Sequence, residues 1–445
     1  MPTDAGTPAR RKGRIATRTG GGRTARIVPQ LPIEHSILLT ATFCLIAAGA
    51  VMVYSASSPR SLAGGQGAAT AYLIKFVGYG GVGLLCMRYL ARHGLDAVRR
   101  ATPVLLMVSF ALLIAVKLPG VGHDINGARR WIGAGPVQFE PSELMKLALV
   151  LYAAHVLSSG RMTERRVRRM LRPLLVTTGA ACLLVVLQPD LGTAIILAFV
   201  VVAVMIAAGV PLRTLGLLGL GFVVVAALFA VLEPYRRARL TAFVHPWAHA
   251  GTSGFQAVQG QIALGSGGLL GVGPGQSVQK IFYLPEANTD FILAVIGEEL
   301  GVLGVCGLLF LYGLIAYAGL RAARAAKGAY AALLAVGVTS LVVGQAMLNV
   351  FAVLGLAPLT GVPLPLVSYG STNLIVLLAA IGVLLNVAGG GTAHLRALGT
   401  PSAKPRRSQD GRTGEKDHDR DRHGGDSRPR RAGAGGGRRA TGPRR

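Results

Sequence analysis

The stretch "YLPEANTDFILAVIGEELGVLGVCGLLFLYGLIAYAGL", residues 283–320, combines a long apolar run with four carboxylates. Glu286 and Asp290 stand at the edge of the run, and Glu298 and Glu299 lie inside it. The whole chain has only 19 acidic residues, and a carboxylate is costly to place in a hydrocarbon environment. The run after Asp290 is long enough to cross a bilayer as a helix, so the stretch predicts a membrane span. Its carboxylates are expected to have a functional or a structural role.

Composition extends this prediction to the whole chain. Of the 445 residues, 51% are hydrophobic and 15% are charged, and the mean hydropathy is +0.51. These values are typical of a polytopic membrane protein and exclude an ordinary soluble domain. The predicted fold class is all-α, with about ten transmembrane helices and a large extracytoplasmic loop, residues 233–289, between spans 7 and 8. The predicted spans are 36–56, 71–90, 102–118, 142–158, 173–188, 191–210, 214–232, 290–320, 329–355 and 364–388.

The net charge of +27 is concentrated in the two tails and on one side of the predicted membrane domain. Residues 1–33 and 391–445 are rich in Gly, Pro and Arg without apolar periodicity, which predicts disordered basic tails around a membrane domain at 34–390. Most other Lys and Arg residues lie in loops after even-numbered spans, so both termini are predicted to be cytoplasmic. Basic tails beside a membrane favour anionic lipid as a partner over nucleic acid.

Asp290 opens span 8 and is followed at once by apolar residues. Desolvation at the boundary between water and membrane raises the pKa of a carboxyl group and makes it a better proton acceptor. Glu286, four residues earlier, is a candidate partner for it. The structural alternative is a capping cluster, since an acid in the first turn of a helix interacts favourably with the helix dipole.

Glu298 and Glu299 follow Asp290 by eight and nine residues. On a continuous helix they lie about 12–13 Å deeper, at about 1.5 Å per residue. Two neighbouring acids at that depth need partners, which predicts a structural role in which they pair with buried cations.

A second polar group opens span 4 in "FEPSELMKLALVLY", residues 139–152. Glu143 and Lys146 are three residues apart and share a helix face, so a local ion pair is one interpretation. The other interpretation is that Lys146, together with Arg129 and Arg130 upstream, neutralises an anionic ligand at the outer leaflet.

Three further polar segments fall at breaks between spans. Asp190 in "LQPDLG" follows a helix-breaking proline and is predicted to cap span 6. The segment "EPYRRARL" puts Arg236, Arg237 and Arg239 on the outer side, where they form either a phosphate clamp or one face of a surface helix. Ser368 lies in "PLVSYGSTN", a proline-broken segment that is tolerated at membrane depth only against protein or a cavity.

Together these segments predict an outward-facing cavity lined by Asp290, by basic side chains and by polar backbone. Such a cavity suits a substrate with a lipid tail, an anionic phosphate and a reactive polar head. A lipid flippase or proton-coupled carrier also fits acids and broken spans, and a non-catalytic scaffold is a third interpretation. A carrier needs its essential acids near the membrane midplane, whereas Asp290 is predicted at the outer boundary.

Four segments resemble, in order, the SEDS family of FtsW and RodA proteins: "NGARRWIGAGPVQFEPSELMKLALVLY", "QPDLGTA", "GSGGLLGVGPGQSVQKIFYLPEANTDFILAVIGEELG" and "LPLVSYGSTNL". The resemblance runs from about residue 34 to residue 390, and "SVQKIFYLPEANTDFI" is more similar to the division-type members than to the elongation-type members. It implies a peptidoglycan glycosyltransferase that polymerises lipid II, a lipid-linked disaccharide–peptide, on the outer face of the cytoplasmic membrane at the division septum.

The resemblance also implies site residues and partners. The family's essential aspartate corresponds to Asp290, its membrane-embedded Glu–Lys pair to Glu143 and Lys146, and its "QPD" aspartate to Asp190. The implied partners are a class B penicillin-binding protein that crosslinks the new strand, other membrane proteins of division, and glycan linked to polyprenyl pyrophosphate. An elongation role of the RodA type is the alternative.

The implied reaction joins an α-linked donor to an acceptor hydroxyl in a β linkage and therefore inverts the anomeric carbon. A single displacement needs one general base, and Asp290 is the predicted base. Departing pyrophosphate needs cations, with or without a divalent ion, although no metal cage or other cofactor is predicted. The predicted substrate-binding residues are Arg129, Arg130, Glu143, Lys146, Arg236, Arg237, Arg239, Glu286 and Ser368, and the predicted structural residues are Asp190, Glu298 and Glu299.

Overall fold

The computed structural model describes residues 32–64, 68–125, 128–133, 138–159, 164–232, 234–281 and 283–390. The predicted basic tails at 1–33 and 391–445 lie almost entirely outside these residues, so their disorder and their lipid contacts stay predictions.

Helices dominate the described part of the chain. They are α1 (Ile33–Gly64), α2 (Ala68–Arg92), α3 (Leu95–Ala115), α4 (Pro141–Leu157), α5 (Glu164–Val186), α6 (Leu191–Ala207), α7 (Leu212–Leu232), α8 (Pro234–Val244), α9 (Phe255–Ser266), α10 (Ile292–Ala325), α11 (Ala329–Val353) and α12 (Ser371–Ala388), with a short 3₁₀ turn at Trp247–His249. The polytopic helical fold class is confirmed.

Seven of the described helices are long and apolar enough to cross a membrane. They correspond to α1, α2, α3, α5, α10, α11 and α12. The other three predicted spans coincide with α4, α6 and α7, so the number ten stays a prediction although each predicted span has a helix at its position.

The centre of the bundle is formed by α12, α11 and α4. In α12, 89% of the apolar window is buried and in α11 61%, whereas α2, α3 and α10 each bury 22%. α12 packs mainly on α2, and α11 packs on α10, α6 and α4. The central helices therefore face protein on most sides, and they carry buried polar residues such as Glu143, Gln345 and Asn373.

The loop between α3 and α4 contains an element that the sequence did not predict. β1 (Gly122–Ile125) pairs antiparallel with β2 (Ala128–Ile132), and Ile132 forms an isolated bridge with Phe139 just before α4. This hairpin brings the arginine-bearing strand β2 against the start of α4.

The predicted single span at 290–320 is broken. Gly301 adopts φ 66° and ψ −165°, so α10 consists of two helical pieces. The loop after α9 repairs the break, because Val272 N–H donates to the Glu298 carbonyl at 2.9 Å and Val302 N–H donates to the Gly268 carbonyl at 3.0 Å. Backbone of this kind is tolerated near a membrane when protein satisfies its polar groups.

The break changes the interpretation of the buried acids. Residues 302–325 form a helix about 36 Å long at about 1.5 Å per residue, which suffices to cross a hydrocarbon core of about 30 Å. Residues 292–300 precede that piece, so Glu298 and Glu299 need not lie in hydrocarbon. The predicted last span is also shorter than expected, since α12 begins at Ser371 and residues 364–370 form a loop.

Candidate active site

Asp290 lies at the end of the loop that connects α9 to α10. Its Oδ1 accepts a hydrogen bond from Thr289 Oγ1 at 2.7 Å, and its backbone carbonyl accepts one from Asn349 Nδ2 at 2.8 Å. Gly361 stands beside the carboxylate, since a Cβ there would be 3.6 Å from Asp290 Oδ2. Asp290 keeps partial exposure, and no described Lys, Arg or His forms an ion pair with it.

The capping alternative for Asp290 is wrong. The N-cap residue of α10 is Phe291, and no side chain hydrogen-bonds to the first amides of the helix. The carboxylate therefore does not cap α10.

Ser368 fixes the backbone on which Asp290 sits. Its Oγ donates to the Thr289 carbonyl at 2.5 Å and accepts from Leu364 N–H at 2.8 Å. Tyr369 N–H also donates to the Asn288 carbonyl, at 2.9 Å. Ser368 is buried, so the structure places this predicted substrate-binding residue behind the site, where it positions the loop.

The surroundings of Asp290 favour its protonated form. Burial by the surrounding protein raises the pKa of the carboxyl group above its ordinary value, and the negative charge of Glu286 raises it further. The hydrogen bond from Thr289 and the positive charge of Arg239 oppose this effect. A carboxylate with a raised pKa is a stronger base, which is the property that proton abstraction near neutral pH requires.

A cavity of about 270 Å³ borders the Asp290 loop. α8, α9, the end of α11 and the loop after it form its walls, together with Pro285 from the Asp290 loop. Its lining includes one cation, two aromatic rings and two amides: Arg239, Phe243, Phe255, Gln256 and Gln261. This mixture of planar apolar surface with a few polar groups suits a sugar that carries a phosphate.

Two hydrogen bonds attach the cavity wall to the site. Arg239 Nη1 donates to the Leu359 carbonyl at 3.4 Å, and Gln256 Nε2 donates to the Pro285 carbonyl at 3.3 Å. Sequence reasoning placed Arg239 here but missed Gln256 and Gln261. The amide-rich run "FQAVQGQ" inside an otherwise glycine-rich loop was the available signal.

Glu143 and Lys146 form a buried ion pair in α4. Lys146 Nζ lies 2.8 Å from both carboxylate oxygens of Glu143 and donates to Gln345 Oε1 at 3.2 Å. Asn373 Nδ2 completes the cluster by donating to Glu143 Oε2 at 2.9 Å. The local ion pair is therefore present, and the Lys146 side chain is 1% exposed and does not line the cavity.

Arg130 and Asp190 meet between β2 and the start of α6. Arg130 donates to the backbone carbonyls of Gln188, at 2.9 Å, and Pro189, and its guanidinium lies 3.9 Å from Asp190 Oδ1. Asp190 Oδ1 accepts from Thr193 N–H at 3.0 Å, so the predicted cap of this helix is present. These bonds tie the hairpin to the bundle.

Glu140, which sequence reasoning missed, is a buried carboxyl group near these clusters. Burial raises its pKa to about 8, with further contributions from the negative charges of Glu143 and Asp190. Its Oε1 accepts from Ser142 Oγ at 2.9 Å. Glu140 directly precedes Pro141, and a second acid before a helix-starting proline was the sequence signal for it.

A short segment, residues 359–364, connects the Glu143–Lys146 pair and the start of α6 to Asp290. Gln345, which binds Lys146, donates to the Pro363 carbonyl at 3.0 Å. Asn349 bridges the carbonyls of Asp290 and Val362, both at 2.8 Å. A shift of α4 or α11 would therefore move the 359–364 segment, and with it the backbone beside the Asp290 carboxylate.

The start of α6 also presses on this segment. A Cβ at Gly192 would lie 2.7 Å from Thr360 Cβ and 2.6 Å from Val362 Cγ2, so only glycine permits this approach.

Glu298 and Glu299 serve the loop after α9. Glu299 pairs with Lys280 at 2.8 Å and accepts from Ser55 Oγ on α1 at 2.7 Å, as expected for an acid that neutralises a buried cation. Glu298 has no cation partner among the described residues. It accepts instead from Ser277 Oγ and from Val278 N–H, the latter at 2.9 Å.

The remaining predicted cations lie at the surface or outside the description. Arg129 on β2 and Arg237 on α8 are exposed, and the side chain of Arg236 is outside the described residues. Of the predicted phosphate ligands, Arg239 is the one that the structure brings to the cavity wall. The phosphate-binding roles stay predictions. Within the described ranges, no group of three or more His, Cys, Asp or Glu side chains is arranged to hold a metal ion.

Comparison with known sequences gives a consistent result. Residues 35–391 match the model of the FtsW/RodA/SpoVE family, described as "Cell cycle protein". The chain is 38% identical to "Stage V sporulation protein E" of Bacillus subtilis over 357 residues, covering 79% of this chain and 96% of the relative. It is 39% identical to "Probable peptidoglycan glycosyltransferase FtsW" of Thioalkalivibrio sulfidiphilus over 381 residues, covering 84% and 93%.

Two solved structures share the fold. One, described under "Structural coordination of polymerization and crosslinking by a peptidoglycan synthase complex", superposes with a TM-score of 0.66 at 32% identity and covers 79% of this chain and 96% of that one. The other, the rod shape determining protein RodA of Thermus thermophilus, gives a TM-score of 0.58 at 30% identity and covers 79% and 95%.

Proposed function

Because the chain belongs to the FtsW/RodA/SpoVE family of cell cycle proteins, we infer that it is a membrane-embedded peptidoglycan glycosyltransferase that polymerises lipid II. Several relatives that it matches over most of their length carry that enzyme name with FtsW, which favours the division role over elongation. We further propose an inverting transfer in which Asp290 is the general base.

The position of Asp290 is the observation that carries this mechanism. The loop that carries the carboxylate borders a cavity through Pro285, although Asp290 itself is not among the lining residues, in contrast to the predicted cavity lined by Asp290. The carboxylate keeps partial exposure, caps no helix and has a raised pKa. In the proposed step, Asp290 accepts the proton of the acceptor sugar hydroxyl as the hydroxyl oxygen attacks the anomeric carbon. The bond from that carbon to the polyprenyl pyrophosphate breaks, and the leaving group departs as the anion.

Arg239 is the best-placed group for stabilising the departing pyrophosphate. It lines the cavity and its charge acts on Asp290, so one guanidinium can face both the base and the leaving group. Arg129, Arg130, Lys146 and the other arginines of α8 remain proposals, with the buried Glu143–Lys146 pair better placed to orient the 359–364 segment than to touch phosphate.

The same placement argues against a carrier. A carrier needs its essential acids within the spanning part of the bundle, so that both faces can reach them in turn. Asp290 precedes α10, and the residues after the Gly301 break already supply a full span.

We propose that the Asp290 face is extracytoplasmic and that both termini are cytoplasmic, as the charge distribution favours. A solved relative belongs to a peptidoglycan synthase complex that coordinates polymerization and crosslinking, which supports a crosslinking transpeptidase of the class B penicillin-binding type as the partner. We also propose that the protein acts at the division septum together with other division proteins. Its basic tails are proposed to bind anionic lipid.

The Asp290→Asn variant tests the base assignment, because it keeps the shape of the side chain and removes its basicity. We expect polymerisation of labelled lipid II by purified protein to fall by roughly 10²- to 10⁴-fold. Asp96→Asn, an exposed acid in the first turn of α3, is the matched control and should retain the wild-type rate. Near-normal polymerisation by a folded Asp290→Asn protein would refute the mechanism.

A further inference from the structure

One hydroxyl group links the two carboxylates of the Asp290 loop. Thr289 Oγ1 lies 2.7 Å from Asp290 Oδ1, 3.0 Å from Glu286 Oε2 and 3.1 Å from the Glu286 carbonyl. A threonine hydroxyl carries one proton and two lone pairs, so it can donate to only one of these acceptors at a time. If both carboxylates are charged, one of them is left without this donor.

The backbone is shaped to hold this arrangement. Glu286 adopts φ 56°, in a region that residues with a Cβ rarely occupy, and its carbonyl accepts from Thr289 N–H at 3.1 Å and from Phe291 N–H at 3.4 Å. This tight turn folds the Glu286 side chain back onto the Thr289 hydroxyl. Ser368 fixes the Thr289 carbonyl from the other side, so the hydroxyl stays between the two acids.

We propose that Thr289 is a positioning residue that relays the abstracted proton from Asp290 to Glu286, which returns it to water. The proposal rests on the proposed function, since Asp290 must first take that proton from the acceptor hydroxyl. It assigns a second task to the loop, namely the recovery of the base between successive sugar additions.

Protonated Asp290 donates its proton to Thr289 Oγ1 while the hydroxyl proton of Thr289 transfers to Glu286 Oε2. One proton has then moved, Thr289 is unchanged, Asp290 is again a carboxylate and Glu286 is a neutral acid. Glu286, which is partly exposed, releases the proton to solvent, and no other reactant is needed.

The relay gives the proton a route to water through Glu286 while the glycan covers Asp290 in the proposed reaction. Pro285 of this loop lines the cavity that we propose holds the glycan, and Asn349, Gly361 and Ser368 pack against other parts of the loop. Among the described charged groups, the ones that act on Asp290 are Glu286 in its own loop and Arg239 from α8. Asn349 and Gly361, from α11 and the loop after it, carry no charge.

Thr289→Val tests the relay through the pH dependence of kcat and KM for labelled lipid II. The relay predicts a kcat lowered roughly tenfold or more, with little change in KM, as expected when a hydrogen bond to a charged group is lost. Removing this donor also raises the pKa of Asp290, so the acidic limb of the profile moves to higher pH. The loss in kcat must persist above that limb, and Thr289→Ser must rescue it, whereas full recovery at high pH would overturn the relay.

Glu286→Gln is the second variant, because it keeps the shape of the side chain but cannot take a proton. Loss of the negative charge lowers the pKa of Asp290, so the acidic limb moves to lower pH while kcat still falls. A wild-type kcat in this variant would overturn the relay even if Thr289→Val failed to fold. Thr214→Val on α7 is the control for threonine removal elsewhere and should leave kcat unchanged.

The failure of the relay can be distinguished from failure of the proposed function. An active Asp290→Asn protein removes the base and therefore both proposals. An inactive Asp290→Asn protein combined with wild-type kcat in Thr289→Val and Glu286→Gln removes only the relay.

Discussion

The acids of this protein differ in what their immediate neighbours supply. Glu298 is satisfied by backbone amides, and Glu299 and Glu143 by lysines at 2.8 Å. Asp290 and Glu140 have no ion-pair partner in the described chain, and both have raised pKa values because protein desolvates them. The same chemical group is therefore held by an ion pair or by hydrogen bonds in one place and has no ion-pair partner among the described residues in another.

Glu140 gives the stability of the protein a predictable dependence on pH. Its folded-state pKa of about 8 lies above the ordinary value of 4.5, so the folded protein retains a proton that the unfolded chain releases. The corresponding stability is fully present below pH 4.5 and is lost as the pH rises through about 8. We expect the thermal unfolding midpoint in detergent to fall across this window, and Glu140→Gln to flatten the slope. An unchanged slope in Glu140→Gln, with Asp96→Asn as the exposed control, would contradict this.

The sequence revealed Asp290 and Arg239 but not Glu140, Gln256 or Gln261. Asp290 stands out because it is an acid next to an apolar run and part of a rare motif. Glu140 matters because Glu143 and Asp190, the latter 50 positions away along the chain, share its surroundings. A property that depends on contacts between distant segments is not encoded in any local pattern.

The glycines of α10 and of the loop before it determine how the two backbones pack at the break in this helix. Gly301 has φ 66° and Gly271 has φ 81°, and a Cβ on Gly301 would be 2.4 Å from Gly271 N. The two backbones meet there without side chains, which lets the loop carbonyls reach the amides that the break exposes.

Gly301→Ala should destabilise the protein by about 1–3 kcal/mol, because alanine must adopt a left-handed conformation and clash with the loop backbone. Gly307→Ala is the matched control in the same helix, where a Cβ meets nothing within 4 Å and alanine is the better helix former by about 1 kcal/mol. Unfolding midpoints in detergent should fall for the first variant and hold or rise for the second. Equal midpoints would show that the break is not maintained by Gly301.

Hydropathy located the helices to within several residues but could not locate this break. The predicted span 142–158 corresponds to α4 (Pro141–Leu157), and the predicted span 329–355 corresponds to α11 (Ala329–Val353). The agreement arises because a long apolar run indicates a helix that is buried in lipid or protein. Gly301 is one of several glycines in α10, and its positive φ and its close approach to the backbone of Leu269 and Gly271 distinguish it from the rest. The hairpin β1–β2 was missed for a similar reason, since its short strands carry no alternating apolar pattern.

For the whole molecule, the orientation in the membrane decides whether the proposed chemistry has access to its substrate. The loop after α9 and the turn between α10 and α11 fall at opposite ends of the predicted span 290–320. Labels placed in them therefore report on opposite sides of the membrane.

Cysteine labelling tests this orientation. Gln276 and Lys327 are exposed, one in each of these connections, and the four native cysteines, none of them disulfide-bonded, can be replaced by alanine beforehand. Gln276→Cys should react with an impermeant maleimide in intact cells or spheroplasts, and Lys327→Cys should react only after permeabilisation. The reverse pattern would place Asp290 in the cytoplasm and exclude polymerisation on the outer face.

The 359–364 segment has a consequence for genetics. Groups from α4, α6, α8 and α11 converge on these few residues, either directly or through one intervening side chain, and the segment in turn touches Asp290. Loss-of-function alleles scattered over two hundred codons, such as changes at Gly192, should therefore share one biochemical defect: a membrane-inserted, stable protein with a misaligned carboxylate.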